Sequence, residues 1–314
     1  MPPPAAMSPA VPPILPSTAA PYDLVIGDRA YSSWSLRGWL LLDAFGLPVT
    51  LHRARLYTDE LPILLKSFFP ARTAPTLRTP DGTVIPETIA IAEELASRHP
   101  DAGIWPAAPR ARAVARVLAA EMHAGFTALR SHCPMNLRVS YATCHPPQPV
   151  LDDLARLETL WDWAQDQTGA TIWLAGEYSA ADAFFAPVAS RIAGYNLPVG
   201  PRAMAYVRAH LAHPSFRKWR AMGLVDGADQ EFYRRDYPTR PWPGPAPMLA
   251  KPVPGTDSEN ATCPYSGKAV THVMELNGRR FGFCNEFCRD KTVADPEAWP
   301  RFMAMVDGPA GTPP

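Results

Sequence analysis

The sequence has no apolar run near the ~20 residues that a membrane-crossing helix needs. It also has no excess of charge of either sign. Thirty Lys and Arg balance thirty Asp and Glu, the net charge is +0 and the pI is about 7.1. That balance argues against a nucleic-acid or anionic-membrane partner held by bulk electrostatics. Residues 1–21 have neither a basic segment nor the long apolar stretch of a secretory signal. They are rich in Pro and Ala instead, and a disordered leader is expected there. Cysteine is scarce and odd in number: Cys133, Cys144, Cys263, Cys284 and Cys288. An odd count without a signal segment points to a reducing compartment, the cytoplasm, rather than to a disulfide framework. Proline, at 38, is the residue in excess, and hydrophobic residues at 47% suffice for a sizeable core.

Periodicity divides the chain. Tyr22 to Gly27 is a short apolar run suited to a buried strand. Ser33 to Phe45 carries Leu36, Trp39, Leu40 and Ala44 on one helical face. A short strand at Val49–His52, a helix over Leu61–Phe69, a hairpin turning at Pro80-Asp81-Gly82 and a helix over Glu87–Arg98 follow. The order βαβαββα over residues 22–100 suits a small mixed sheet with helices packed on it. From 106 to 227 the pattern is helical: Arg110–Leu129, Val150–Gln167, Ala180–Ile192, Arg202–Leu211 and Pro214–Met222, with no strand among them. Residues 233–262 turn to Pro, Gly and polar side chains and read as a stiff linker with few contacts. Residues 263–306 then hold a hairpin around Asn277-Gly278 and a closing helix. The fold class expected is α/β plus all-α, with a small hairpin-and-helix unit at the end.

Three segments of the first unit carry chemistry. Ser32 and Ser33 stand between the first strand and the first helix. A hydroxyl there lies at a helix N-terminus, where free N–H groups and the macrodipole favour an anion such as a thiolate. The same serines would also serve as ordinary caps. Thr73-Ala74-Pro75-Thr76 opens the third strand, and a cis bond before Pro75 would turn the Ala74 backbone toward that helix end, free to pair with an extended peptide. Glu87 and Thr88 open the third helix and offer a carboxylate, a hydroxyl and free N–H groups to a zwitterionic amino-acid head.

The runs SSWSLR, PARTAPTL and PETIAIAEELASR together resemble the N-terminal domain of glutathione transferases, nearest the serine-type, zeta-like group. The resemblance implies a thioredoxin-like domain with Ser32, and Ser33 as the alternative, as thiolate partner. It implies Thr73, Ala74 and Pro75 as the backbone clamp and Glu87 with Thr88 as the γ-glutamyl site. Trp34 stands where the zeta pattern has a cysteine, which argues against a maleylacetoacetate isomerase. LAGEYSAAD, residues 174–182, resembles the core signature of the family's helical domain, with Ser179 and Asp182 as a structural capping box. Arg37, one turn into the first helix, reads as a partner in an internal salt bridge. A homodimer is implied as well.

The last three cysteines are spaced C-x20-C-x3-C around the hairpin. A hairpin of that length returns Cys284 to Cys263, and Cys288 lies one helical turn beyond Cys284. Three converging thiolates suit zinc or another soft ion, whose binding would help fold so small a unit. His272 is the nearest candidate for a fourth ligand. The pattern resembles TRASH and YHS-like metal-binding modules. The function expected is conjugation or reduction of a small electrophile with glutathione as co-substrate. The alternative is a non-catalytic glutathione- and metal-binding protein for metal sensing, trafficking or detoxification.

Overall fold

A computed structural model of the chain describes residues 21–308, so the expected leader lies, but for Pro21, outside the described residues. β1 (Tyr22–Ile26) runs parallel to β2 (Val49–Arg53) and antiparallel to β3 (Thr76–Arg78), which pairs with β4 (Val84–Ile85). The sheet order is β2-β1-β3-β4. Apart from Asp23, which pairs with His52 and Arg78, β1 is apolar because both of its faces are covered. Leu24 and Ile26 point into the main core with Leu36 and Leu40, whereas Val25 points the other way onto Leu65 and Phe68. α1 (Ser33–Asp43), α2 (Glu60–Leu65) and α3 (Thr88–Arg98) complete a thioredoxin-like unit in the order read from the sequence.

The helical unit comprises α4 (Pro109–Ala124), α5 (Thr127–His132), α6 (Gln148–Thr168), α7 (Ala180–Tyr195), α8 (Pro201–Ala212) and α9 (Pro214–Val225). The single helix expected over Arg110–Leu129 is two, broken at Gly125 and at Phe126, whose φ of 58° is left-handed. Every residue of α7 is buried, and apart from Asp182, Ser190 and Arg191 its side chains are apolar or small, as a buried helix requires. Its start is the capping box read from the sequence: Asp182 accepts from the Ser179 N–H at 2.9 Å. Asp182 also accepts from the Leu174 N–H and the Tyr206 hydroxyl, so it ties the turn before α7 to α8. A strand pair does enter this unit. β5 (Ser140–Tyr141) pairs with β6 (Thr239–Arg240), each too short to show a period of two.

The segment expected as a free linker is packed. Tyr233 packs against Tyr31 with ring centroids 4.8 Å apart. The Arg220 guanidinium lies 4.3 Å from the Trp242 ring. β7 (Ala250–Val253) is an edge strand of the last sheet, order β7-β8-β9, with β8 (His272–Leu276) and β9 (Arg279–Phe283). Its Pro252 is tolerated because it sits at an edge. Composition misleads here because the segment is held by single large side chains and not by a periodic apolar face. The β8–β9 turn has Asn277 at φ 52° and Gly278 at φ 75°, the left-handed pair that a two-residue hairpin needs.

α10 (Glu286–Ala294) and α11 (Pro300–Asp307) close the C-terminal unit over Phe281, Phe283 and Phe302. The unit is docked on α9. Arg217 makes a two-pronged ion pair with Asp295 at 2.9 and 2.6 Å, both side chains mostly buried. The Arg29 guanidinium lies 5.6 Å from the Phe287 ring. Few contacts were expected to cross from this unit to the body, and these contradict it. Among the described residues no helix is long and apolar enough to cross a membrane.

Candidate functional site

Two cavities meet at the N-terminal end of α1. The larger, about 590 Å³, is lined by Ser32, Ser33 and Ala74 from the thioredoxin-like unit and by Arg130, Arg191, Tyr233 and Arg235 from beyond it. The smaller, about 340 Å³, is lined by Thr73, Ala74, Pro75, Glu87 and Thr88 with His123. Trp34, Ala74 and Arg130 belong to both. The seven residues singled out in the first unit therefore line two adjoining cavities.

The two serines differ in what they have to offer. Ser32 caps α1, accepting from the Ser35 N–H at 3.3 Å, and donates to Ser35 Oγ at 2.7 Å. Its single proton is thus committed inside the protein. Ser33 is half-buried, and its Oγ accepts from Arg191 Nη2 at 3.4 Å. That contact fills a lone pair, and among the described residues the Ser33 hydroxyl, which lines the cavity, has no protein acceptor. The peptide bond between Ala74 and Pro75 is cis. Gly38 lets α1 close on this proline, since a Cβ on Gly38 would lie 2.7 Å from Pro75 Cβ.

At the α3 end, Glu87 is the N-cap and keeps its carboxylate exposed, 3.4 Å from His123 Nε2. Thr88 Oγ1 lies 3.4 Å from His123 Nδ1. Burial lowers the His123 pKa, the Glu87 charge opposes the shift and Arg37 and Arg130 add to it, so the ring is neutral at neutral pH. Thr73 lines the same cavity, and its carbonyl accepts from Thr76 Oγ1 at 2.7 Å.

Among the described residues Arg37 makes no salt bridge. It is 1% exposed, donates to the Phe184 carbonyl at 3.0 Å and lies over Trp34 at 4.3 Å, with Arg130 at 4.9 Å from the same ring. Sequence reasoning passed over Arg130, Arg191, Arg235 and His123, which come from α4, α5, α7 and the segment after α9. Arg191 carried a signal, being the one charge in the otherwise apolar run AFFAPVASRIA.

The second cluster lies in the C-terminal unit. The Sγ atoms of Cys263, Cys284 and Cys288 fall within 4.8 Å of one another, and Cys284 and Cys288 are 4.0 Å apart. Thiolates on one zinc ion at about 2.3 Å stand roughly 4 Å apart, so the three fit a shared soft ion. His272 is outside this group and pairs with Thr271 Oγ1 at 2.9 Å. His132, Cys133, Cys144 and His145 form no such group among the described residues. Burial pushes the Cys263 thiol up, but N–H groups of Cys284, Tyr265 and Ser266 together outweigh it and bring the pKa down to about 7. The Lys291 ammonium is set over the Tyr265 and Trp299 rings at 3.9 and 4.0 Å; burial lowers its pKa to about 8, and the nearby cysteines oppose that shift.

Residues 31–98 match the family described as glutathione S-transferase, N-terminal domain. Among solved structures, a glutathione transferase homolog from Burkholderia GL BGR1 with bound glutathione is 24% identical. That match covers 65% of this chain and 98% of the other, with a TM-score of 0.50. Glutathione transferase Omega 2S from Trametes versicolor is 20% identical over 68% of this chain and 99% of its own, TM-score 0.50. A Tau class glutathione S-transferase from mango is 16% identical over 65% and 94%, TM-score 0.50. The comparison with curated proteins finds no match. These likenesses establish the glutathione transferase fold for about two thirds of the chain.

Proposed function

We propose that the protein is a glutathione transferase that joins the thiol of glutathione to a small electrophile, or uses it in reduction. The observation that carries this reading is the convergence of Ser33, Ala74 and Glu87–Thr88 on two adjoining cavities within a transferase fold. In it, the Ser33 hydroxyl donates to the glutathione sulfur, favours the thiolate and so raises the nucleophilic fraction at neutral pH. Ser32 holds the helix end that presents Ser33. The Ala74 backbone pairs with the cysteinyl unit. Glu87 takes the γ-glutamyl ammonium, and the α3 N-terminus with Thr88 takes its carboxylate. Thr73 borders the same tripeptide. Retention on a glutathione-affinity column and turnover of 1-chloro-2,4-dinitrobenzene test the reading. A protein that is neither retained nor active would overturn it.

The C-terminal unit fits a TRASH or YHS-like metal-binding module. Cys263, Cys284 and Cys288 would hold zinc or another soft ion, and the charge of Lys291 offsets that of the thiolates. Such an ion would add folding energy to a small unit. Elemental analysis of the purified protein tests this. We further propose a homodimer working in the cytoplasm, where the free thiols stay reduced. A protein that retains glutathione and metal but turns over no electrophile would fit the sensing or trafficking alternative.

A further inference from the structure

The larger cavity is positively charged without compensation. Arg130, Arg191 and Arg235 line it, and no Asp or Glu does. Buried Arg37 stands immediately behind Trp34. Among the described residues, none of these four guanidiniums is in a salt bridge. Each is held by backbone carbonyls instead. Arg191 donates to Cys133 O at 2.8 Å and Pro187 O at 3.2 Å. Arg235 donates to His132 O, Phe232 O and Arg234 O. Arg130 donates to Gly125 O at 3.4 Å. Carbonyl dipoles fix a guanidinium in place but do not cancel its charge. Burial lowers the Arg191 pKa, with Arg130 adding to the shift, yet only to about 10, so the charge persists at neutral pH.

Among the described residues Arg191 is buried without a counter-charge, which disfavours the empty cavity. An anionic occupant supplies that counter-charge, and a low-dielectric cavity makes its attraction larger than in water. Glutathione bound as the thiolate carries a net charge of minus two, its glycyl carboxylate included, so three lining arginines with Arg37 behind them still leave positive charge unanswered. Aromatic rings make up a large share of the remaining wall, beside Leu56, Pro134 and Met135. Tyr57, Phe232 and Tyr233 line it, and Tyr57 and Phe232 are 74% and 71% exposed at its mouth. Resting on the transferase reading above, we propose that the larger cavity takes an electrophile with a planar body and an anionic group, a carboxylate in the first instance, held by Arg191 and Arg235. Arg130, shared by both cavities, serves glutathione as well.

The matched pair 4-chloro-3,5-dinitrobenzoate and its methyl ester tests this. In both, the thiolate sulfur forms a bond to the ring carbon bearing chlorine, the C–Cl bond breaks and chloride leaves with the electron pair. The quantity compared is kcat/KM divided by the uncatalysed rate with glutathione, which removes intrinsic reactivity. The benzoate is expected to be favoured at least about tenfold, and Arg235→Gln to shrink that preference toward one. Arg191→Lys should keep part of the preference that Arg191→Gln loses. Should the Arg191 variants fail to fold, inhibition of wild-type ester turnover by unreactive 3,5-dinitrobenzoate supplies the check, with 1,3-dinitrobenzene expected to inhibit at least about tenfold more weakly. Ester turned over as well as benzoate overturns the anionic-substrate inference while leaving the transferase reading intact. No turnover of either, with no glutathione bound, removes both.

Discussion

At the residue scale, the neighbouring serines separate a structural role from a chemical one. Ser32 spends its proton on Ser35, whereas Ser33 is braced by Arg191 and opens on the cavity. Ser33→Ala is expected to raise the pKa of bound glutathione. It should cost kcat/KM roughly tenfold to a hundredfold, the scale of a hydrogen bond to a charged group at about 1.5–3 kcal/mol. Ser32→Ala should lower stability by about 1 kcal/mol through loss of a cap, with a smaller effect on that pKa. Thiolate absorbance on titration of each variant separates the two. The sequence carried both serines to the site and put Ser32 first, with Ser33 as the alternative; the contacts reverse that order, because spacing does not tell where a hydroxyl proton goes. Asp182 gives a pH signature. Burial raises its pKa to about 6, against an ordinary value of 3.8, although four hydrogen bonds pull it down. The folded state therefore favours the protonated acid. The stability this contributes is complete below about pH 3.8 and is lost as the pH rises through about 6. Asp182→Asn should flatten that stretch of the melting-temperature profile. An unchanged profile would show that the carboxyl titrates normally.

At the scale of elements, βαβαββα and the run of helices were legible because each buries a periodic apolar face. The stretch from 231 to 262 was not, since it docks through isolated aromatics such as Tyr233 and Trp242 and through one edge strand. The cationic side of the site was equally hidden. Its arginines come from α5, α7 and the segment after α9, far apart in sequence and joined only by packing. Cutting the chain after Gly227 removes Tyr233 and Arg235 from the larger cavity and uncovers α9. The truncated protein is expected to melt several degrees lower and to lose turnover, and a truncated form as stable and active as the full chain would contradict the docking. Arg217→Ala strands Asp295, which is mostly buried, and should cost about 1–3 kcal/mol in a denaturant melt.

At the scale of the whole molecule, the C-terminal unit reaches the body beside the site. Phe287, between Cys284 and Cys288 in α10, touches Arg29, whose carbonyl accepts from Trp219 and whose chain leads directly into Ser32. Replacing Cys284 and Cys288 by serine should abolish retention of metal in elemental analysis and also lower the main unfolding transition, since the two units share an interface. Light scattering should give twice the 34.4 kDa chain mass. The central claim, that the adjoining cavities at the thioredoxin-like unit activate glutathione, has a direct measurement in the ultraviolet difference spectrum of glutathione titrated onto the full chain near neutral pH. Thiolate absorbance should appear on binding, with an apparent pKa well below the free-thiol value of about 8.5, and should fall in Ser33→Ala. Glutathione that stays a thiol when bound to the wild type, or does not bind, would contradict the account.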